Sequence, residues 1–382
     1  MSTSQIGLSG LMAVNTAISG VANNIANTET VGYKSSNAVF GNLVSGDGLG
    51  KGTSINGNKT DFSQGGQTST GRVLDMMVDG NGYFIVSKEG SDQDMYTRNG
   101  QFSLSAEGKL VTNQGLNVQG YEQNASGSYS LNPVDISIPA NFGTPELTDT
   151  VGVDINLKSM GDSFSTSLPV YDSLGNQNNM DMTFTRTAPN QWDVQYDMDG
   201  SSYGPFPITF DAAGQIVGAP VQTINTPAFS NGAAAQTIDV DLTAITQYAG
   251  SHTLNSIDAN GFGIGALEGI EVTPEGVISA TYSNGQSIQQ FKVAMATFPN
   301  DDGLKGVGGG DFVAGVSAGG RKLAGAGENG VGNVVSSALE ASNVDLTSEL
   351  VDLITYQQSY KANSKVISTS SELSETTLNL SR

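Results

Sequence analysis

The sequence predicts a mainly β chain, antiparallel and barrel- or sandwich-like, whose two ends are α-helices that pair in a coiled-coil-like inner domain. Three observations predict it. Near the N-terminus Leu11, Val14, Ile18, Val21 and Ile25 recur at alternating spacings of three and four, the seam of a helix that buries one narrow stripe. From Asp345 onward Leu346, Leu350, Leu353, Tyr360 and Ile367 continue the same rhythm. Between these ends lie short apolar runs divided by Gly, Asn and Asp, without the strand–helix alternation of a parallel sheet.

The first helix is expected over about residues 4–27, which at ~1.5 Å per residue is roughly 35 Å long. Residues 41–71 are rich in Gly, Ser, Asn and Thr and read as a connector, as do residues 303–332. A strand is expected at 83–86. Asn99-Gly100 divides the runs 95–98 and 101–104 and signals a tight hairpin. A second strand cluster covers 167–171, 179–187 and 192–197, and a third covers 269–273, 276–282 and 287–298. The predicted layout is therefore a helix over 1–30, an extended linker over 31–71, and a discontinuous β-domain made of 72–142 and 266–338. A β-domain over 143–265 is inserted into it, and a C-terminal helix occupies 339–382. Gln357 and Ser364 interrupt the second seam, and Val351, Ile354, Val366 and Leu373 lie off it, so more than one partner helix is implied. Alone in water such helices have little to bury and are expected to order on assembly.

Composition narrows the function. With 382 residues, a net charge of -21 and 14% charged residues, the chain is ill suited to nucleic acid or an anionic membrane surface, both of which require Lys and Arg. There is no cysteine, hence no disulfide framework and no thiolate metal site. The stretch from Met1 to Thr28 is uncharged, but Ser, Asn, Thr and Gln interrupt its apolar runs. It reads as an amphipathic mature segment rather than a leader or a membrane span.

No constellation for catalysis, cofactor binding or metal ligation is predicted. The single histidine, His252, has no ligand spacing around it. Gly-x-Ser-x-Gly occurs at Ser202 and Ser317, but neither serine is followed by the helical pattern a nucleophile elbow requires. Asp197-Met198-Asp199-Gly200 lacks the twelfth-position carboxylate of a calcium loop, where Ile208 stands, and reads as a hairpin turn. Lys305 to Gly310 lacks the Gly-Lys-Ser/Thr ending of a phosphate loop.

Several motifs in order carry a family resemblance. Gly7-Leu8-Ser9-Gly10-Leu11, then Asn23-Asn24-Ile25-Ala26-Asn27, then Gly32-Tyr33-Lys34, resemble the start of bacterial flagellar rod and hook axial proteins. Leu339-Glu340-Ala341-Ser342-Asn343 and Tyr356-Gln357-Gln358-Ser359-Tyr360 are similar to their other end. Asp79-Gly80-Asn81-Gly82-Tyr83-Phe84 and Tyr96-Thr97-Arg98-Asn99-Gly100 resemble their shared core, and Val170-Tyr171-Asp172-Ser173-Leu174-Gly175 the inserted domain of the hook branch. The resemblance implies a homopolymer, a curved tube between rod and filament that passes torque while bending. Its terminal helices would enclose an export channel, and its expected location is extracellular, attached to the basal body. Implied partners are the distal rod, the hook cap, the hook–filament junction proteins and the type III export apparatus; nucleic acid and membrane insertion are not implied. Two other readings are a distal-rod-type axial protein with a large insertion and a secreted β-rich adhesion protein.

Overall fold

A computed structural model describes residues 3–44, 50–91, 93–124, 126–142, 145–218 and 220–380, without the side chains of 378–380. The expected domain edge at Gly143 lies outside the described residues. The chain forms two compact units: Met1–Pro139 with Gly269–Ala280 and Ser287–Arg382, and Ala140–Glu268 with Thr281–Gln286.

Helix α1 (Thr3–Ala26) carries no acid in its first turn and no base in its last. Its three glycines each disfavour helix by ~1 kcal/mol relative to Ala, so packing rather than propensity holds it. Helix α2 (Leu346–Leu380) opens on Asp345, whose Oδ1 accepts the N–H groups of Thr347 (2.8 Å) and Ser348 (3.3 Å), satisfying two donors that the first turn leaves free. The two helices pair antiparallel. A Cβ on Gly7 would lie 2.8 Å from Ile367, and one on Gly10 would lie 2.9 Å from the Asn363 amide, while Asn24 meets Glu349. Within one chain each helix serves as the other's partner.

The contact face differs from the expected seam. In α1 the buried stripe is Gly7, Gly10, Ala13, Val14, Ala17, Val21 and Asn24; Leu11, Ile18 and Ile25 are half-buried at its margin. The reason is steric: small residues let the backbones approach, and bulkier seam residues would hold them apart. In α2 the inward positions include Glu349, Leu353, Tyr356, Asn363 and Ile367, whereas Leu346, Leu350 and Tyr360 remain exposed. By length and composition α1 also qualifies as a bilayer-spanning helix, contrary to expectation, with 33% of its most apolar window buried in the chain.

Residues 31–71, expected as an extended linker, contain a hairpin. Strands β1 (Ser36–Val44) and β2 (Gly50–Thr60) pair antiparallel from Ser36↔Thr60 to Val44↔Gly50. Ser9 Oγ of α1 accepts the Thr53 N–H at 3.2 Å, and the Phe40 ring lies 6.1 Å from that of Tyr356 on α2. Strand β3 (Gln67–Ser69) then pairs with Ala338–Glu340, and β4 (Met76–Asp79) with Asn333–Ser336. Outgoing and returning chain are thereby stitched together next to the helices.

The remaining sheet of this unit is built around β5 (Tyr83–Ser87), paired with β6 (Asp94–Thr97), Asn117–Glu122 and Ser287–Thr297. Tyr83, Ile85, Tyr96, Ala294 and Phe312 form its core on one face. Two expectations are corrected. Residues 303–332 are not a connector: Leu304–Gly308, Asp311–Ala314 and Lys322–Gly325 join the sheet, anchored by buried Leu304 and Phe312, with Gly306 and Gly325 paired within the strands. Nor is Asn99-Gly100 a hairpin turn. Phe102–Leu104 pairs with Leu110–Thr112, and Gly100 is needed because any Cβ there would strike the Met76 carbonyl at 1.6 Å.

The second unit is a two-sheet sandwich. One sheet is an antiparallel meander of Ser163–Tyr171, Gln177–Ala188, Gln191–Met198, Ser201–Phe210 and Ile216–Val217. In the other, Thr150–Lys158 pairs parallel with Thr237–Asp241 and Thr246–Tyr248 and antiparallel with Thr253–Ala259, so the expected antiparallel order is broken locally. Strict alternation along Gln191–Met198 puts Trp192, Val194 and Tyr196 into the core. The turn at Asp199-Gly200 has positive φ at both residues (48° and 75°), the tight hairpin the sequence suggests.

Candidate functional site: the helix pair and its anchoring junction

The short motifs quoted from distant parts of the sequence converge on one buried carboxylate. The Glu340 side chain is inaccessible, and its Oε1 accepts Lys34 Nζ at 2.6 Å and the Gly65 N–H at 2.9 Å. Its Oε2 accepts Arg98 Nη1 at 3.2 Å. Lys34 Nζ also donates to the Ser63 carbonyl at 2.6 Å. Arg98 donates to the carbonyls of Val78 (3.2 Å) and Gly80 (2.7 Å) and lies over the Tyr83 ring at 5.2 Å. Burial pushes the Lys34 ammonium below its usual pKa range, opposed by its pairing with Glu340. One carboxylate thus pairs with two cations, the three groups coming from three segments, an arrangement whose rupture leaves charge buried without a partner.

Backbone bonds complete the junction. The Gly32 N–H donates to the Glu340 carbonyl (2.8 Å), the Asn343 N–H to Tyr33 (3.3 Å) and the Ala341 N–H to Gly66 (2.7 Å). Asn343 Oδ1 accepts the Ser35 N–H at 2.8 Å, and its Nδ2 donates to the Asp61 carbonyl at 2.8 Å. Gly32 has φ +68°, and a Cβ there would meet the Arg98 backbone at 2.7 Å, so both dihedral and space require glycine.

A second buried cluster lies between the helices. Asn24 is fully buried; its Nδ2 donates to Glu349 Oε1 at 2.9 Å and to the Ser36 carbonyl at 3.2 Å. Its Oδ1 accepts from the Tyr33 hydroxyl (3.2 Å) and the Ser36 N–H (3.0 Å). Glu349 Oε2 is buried with no hydrogen-bond partner, and burial raises the Glu349 pKa. Burial, then the Glu349 charge, also raises that of Tyr33. Asn27 closes the end of α1, its Nδ2 donating to the Asn23 carbonyl at 2.9 Å and its Oδ1 accepting from Thr30.

Of the motif residues predicted to matter, Asn24, Gly32, Tyr33 and Lys34 meet here. Asn27 serves as a cap, and Asn23 and Ala26 face outward. Arg98, Glu340, Asn343 and Glu349 also build these clusters, and the sequence alone assigns them no role. Their signal is a charged or amide residue set among small and apolar neighbours, as in Leu339-Glu340-Ala341.

The outer face of the helix pair carries large apolar residues among its polar ones. Met12 is 64% exposed on α1, and Val351, Ile354 and Leu373 are 58%, 55% and 64% exposed on α2. Exposed apolar residues grouped on one element mark an interaction surface. Elsewhere, His252 stacks on Phe164 at 5.1 Å, and its Nδ1 accepts the Lys158 N–H. Ser202 lies in a strand and donates to the Asp197 carboxylate. Among the described residues no group of three His, Cys, Asp or Glu side chains is placed to hold a metal.

Family models match along the chain. They are the flagella basal body rod protein over residues 5–34, the flagellar hook protein FlgE/F/G D1 domain over 77–158, the flagellar basal body protein FlaE D2 domain over 139–262, and the flagellar basal body rod FlgEFG protein C-terminal region over 335–380. Flagellar hook protein FlgE of Escherichia coli K12 is 35% identical over 98% of both chains, and that of Salmonella typhimurium LT2 33% identical over the whole of both. FlgE of Rhizobium meliloti is 32% identical over all of this chain and 99% of its own. Among solved structures, Helicobacter pylori flagellar hook protein FlgE2 is similar with a TM-score of 0.49 and 15% identity, covering 72% of this chain and 100% of that one. With identities of this size along its full length and both terminal motifs knitted into one junction, the chain belongs to the flagellar hook protein FlgE family.

Proposed function

We propose that this chain is the structural subunit of a bacterial flagellar hook, self-assembling into a flexible curved tube that passes torque from rod to filament. The observation that carries this reading is the helix pair. α1 turns small residues toward α2, while Met12 on α1 and Val351, Ile354 and Leu373 on α2 remain in water. Neighbouring copies would cover those groups, with nonpolar burial holding the wall together. The predicted seam residues then divide into two tasks: Val14, Val21, Leu353 and Ile367 hold the pair, and Leu346, Leu350 and Tyr360 face other subunits. The Lys34–Glu340–Arg98 junction is the rigid link from helices to the β-unit, so that load applied to the β-strands reaches the wall. The role is structural, with no catalytic step. The chain works outside the cell at the basal body, next to the distal rod, the hook cap and the hook–filament junction, after passage through the type III export apparatus.

The test is a truncation that keeps the junction. A variant lacking residues 1–30 and 345–382 retains Lys34, Arg98 and Glu340 and is expected to be a soluble monomer with its strand circular dichroism intact. The full chain is expected to form curved tubes in electron micrographs. Tubes from the truncation, or none from the full chain, would overturn the proposal; straight tubes would favour a rod-type subunit.

A further inference from the structure

One end of the two-sheet sandwich is held by the chain's single histidine. Between Thr150–Lys158 and Ser163–Tyr171 the chain crosses from one sheet to the other through residues 159–162. His252 lies in the loop before Thr253–Ala259, and its Nδ1 accepts the Lys158 N–H at 3.2 Å. An accepting ring nitrogen carries no proton, so the neutral imidazole has its hydrogen on Nε2. The ring stacks on Phe164 (centroids 5.1 Å apart, planes 10° apart) and stands perpendicular to Trp192 at 6.0 Å. A Cβ on Gly161 would strike Nε2, so the crossover closes directly against the imidazole.

The surroundings favour the neutral ring. Burial, then the Lys158 charge, holds the His252 pKa below its ordinary value of 6.5. Two further charged groups stand on the elements around it. Asp162 is exposed in the crossover, and its carbonyl accepts the Arg186 N–H at 2.9 Å from the strand paired with Ser163–Tyr171. Asp193, next to Trp192, belongs to the opposite face of its strand. Among the described residues no carboxylate pairs with the imidazole. As pH falls, the unfolded chain therefore takes up this proton first. The contribution of His252 is full above 6.5 and is lost as pH falls through the lower native value.

We propose that His252 is a proton-operated latch on the crossover between the two sheets. With Nδ1 unprotonated it binds the Lys158 N–H and keeps the crossover closed over the aromatic end of the core. A proton taken from solvent onto Nδ1 removes that acceptor and sets one N–H against another, which releases residues 158–161. The other backbone bonds here do not replace the anchor. Gly161 donates to Lys158 within the turn (2.9 Å), and Ser159 donates to Tyr248 (3.2 Å) at the base of the loop that carries His252. The Arg186 bond still ties Asp162, so the opening is local. Trp192, Tyr196 and Phe184 keep the sandwich folded, and only the segment bearing Met160, 82% exposed, is freed.

The experiment follows the full chain by NMR as the pH is lowered. His252 is the only histidine, so one imidazole signal reports its titration. Its midpoint is expected below 6.5. Around that midpoint the protection of the Lys158 amide against hydrogen exchange is expected to fall by roughly tenfold or more, while the Trp192 and Tyr196 amides keep theirs. His252→Gln offers an oxygen acceptor that does not titrate and is expected to make Lys158 protection independent of pH. His252→Phe keeps a stacking ring without the acceptor and is expected to leave Lys158 poorly protected at every pH. Constant Lys158 protection through the imidazole titration, a midpoint at or above 6.5, or the same fall in the Gln variant would overturn the latch. So would full Lys158 protection in the Phe variant, or loss of Trp192 protection together with that of Lys158, which would mean global unfolding.

Discussion

The β-sandwich of the second unit and the terminal helix pair solve the same problem differently. In the sandwich, alternation along each strand sends Trp192, Tyr196 and Phe184 fully into a core that the unit closes by itself. In the helix pair the buried stripe of α1 is Gly, Ala, Val and Asn, laid against Ile367 and Asn363 of α2, while Met12, Val351, Ile354 and Leu373 stay outside. A unit that buries its own aromatics is finished when it folds. A pair that leaves Met12, Val351, Ile354 and Leu373 in water is half of a larger core. The difference separates folding from assembly within one chain.

That contrast can be broken most severely at the junction. Glu340→Ala leaves Lys34 and Arg98 buried without their counter-ion, and we expect a loss of about 3–5 kcal/mol from the helix-bearing unit. The only tryptophan, Trp192, lies in the sandwich. Its fluorescence transition in denaturant is therefore expected to stay in place while the helical circular dichroism melts earlier. A parallel shift of both signals would show that the two units do not fold independently. A smaller effect is expected at the helix contact. Gly10→Leu overpacks the space against Asn363 and should lower the stability of the pair by about 1–3 kcal/mol, again without moving the Trp192 signal. If helix content and assembly are unchanged, the close backbone approach is not what holds α1 to α2.

The smallest effect concerns pH. Burial raises the Glu349 pKa above its ordinary value of 4.5, so the native state takes up this proton before the unfolded chain does. Stability from this group is fully present below the unfolded value and is lost as pH rises through the raised native one. The helix pair should therefore weaken across that window as pH increases, and Glu349→Gln should flatten the slope. An unchanged slope in the variant, followed by helical circular dichroism against pH, would assign the dependence to another group.

Legibility in the sequence followed the physics of each element. Both helices and the strand at Trp192 were readable because a period of 3.6 or 2 survives in one short window. The helix face was not, because Gly7, Gly10 and Ala17 carry no hydrophobic signal and act by what they lack. The strands within 303–332 were hidden by glycine-rich composition, with only Leu304 and Phe312 to betray them. The anchoring junction was visible as separate motifs, but the pairing of Lys34 with Glu340, 306 residues away, has no signature in a single sequence.

The antiparallel pairing of Gly7 with Ile367 also fixes an order of events. A chain synthesised from its N-terminus presents α1 first and its partner last, with both β-units emerging between them. Until α2 is made, α1 has only the β1–β2 hairpin and Tyr33 to pack on, through Ser9 and Asn24. A product that stops before Leu346 therefore lacks the contact between the two helices. The contact between the helices thus reports that synthesis has run through both β-units to α2.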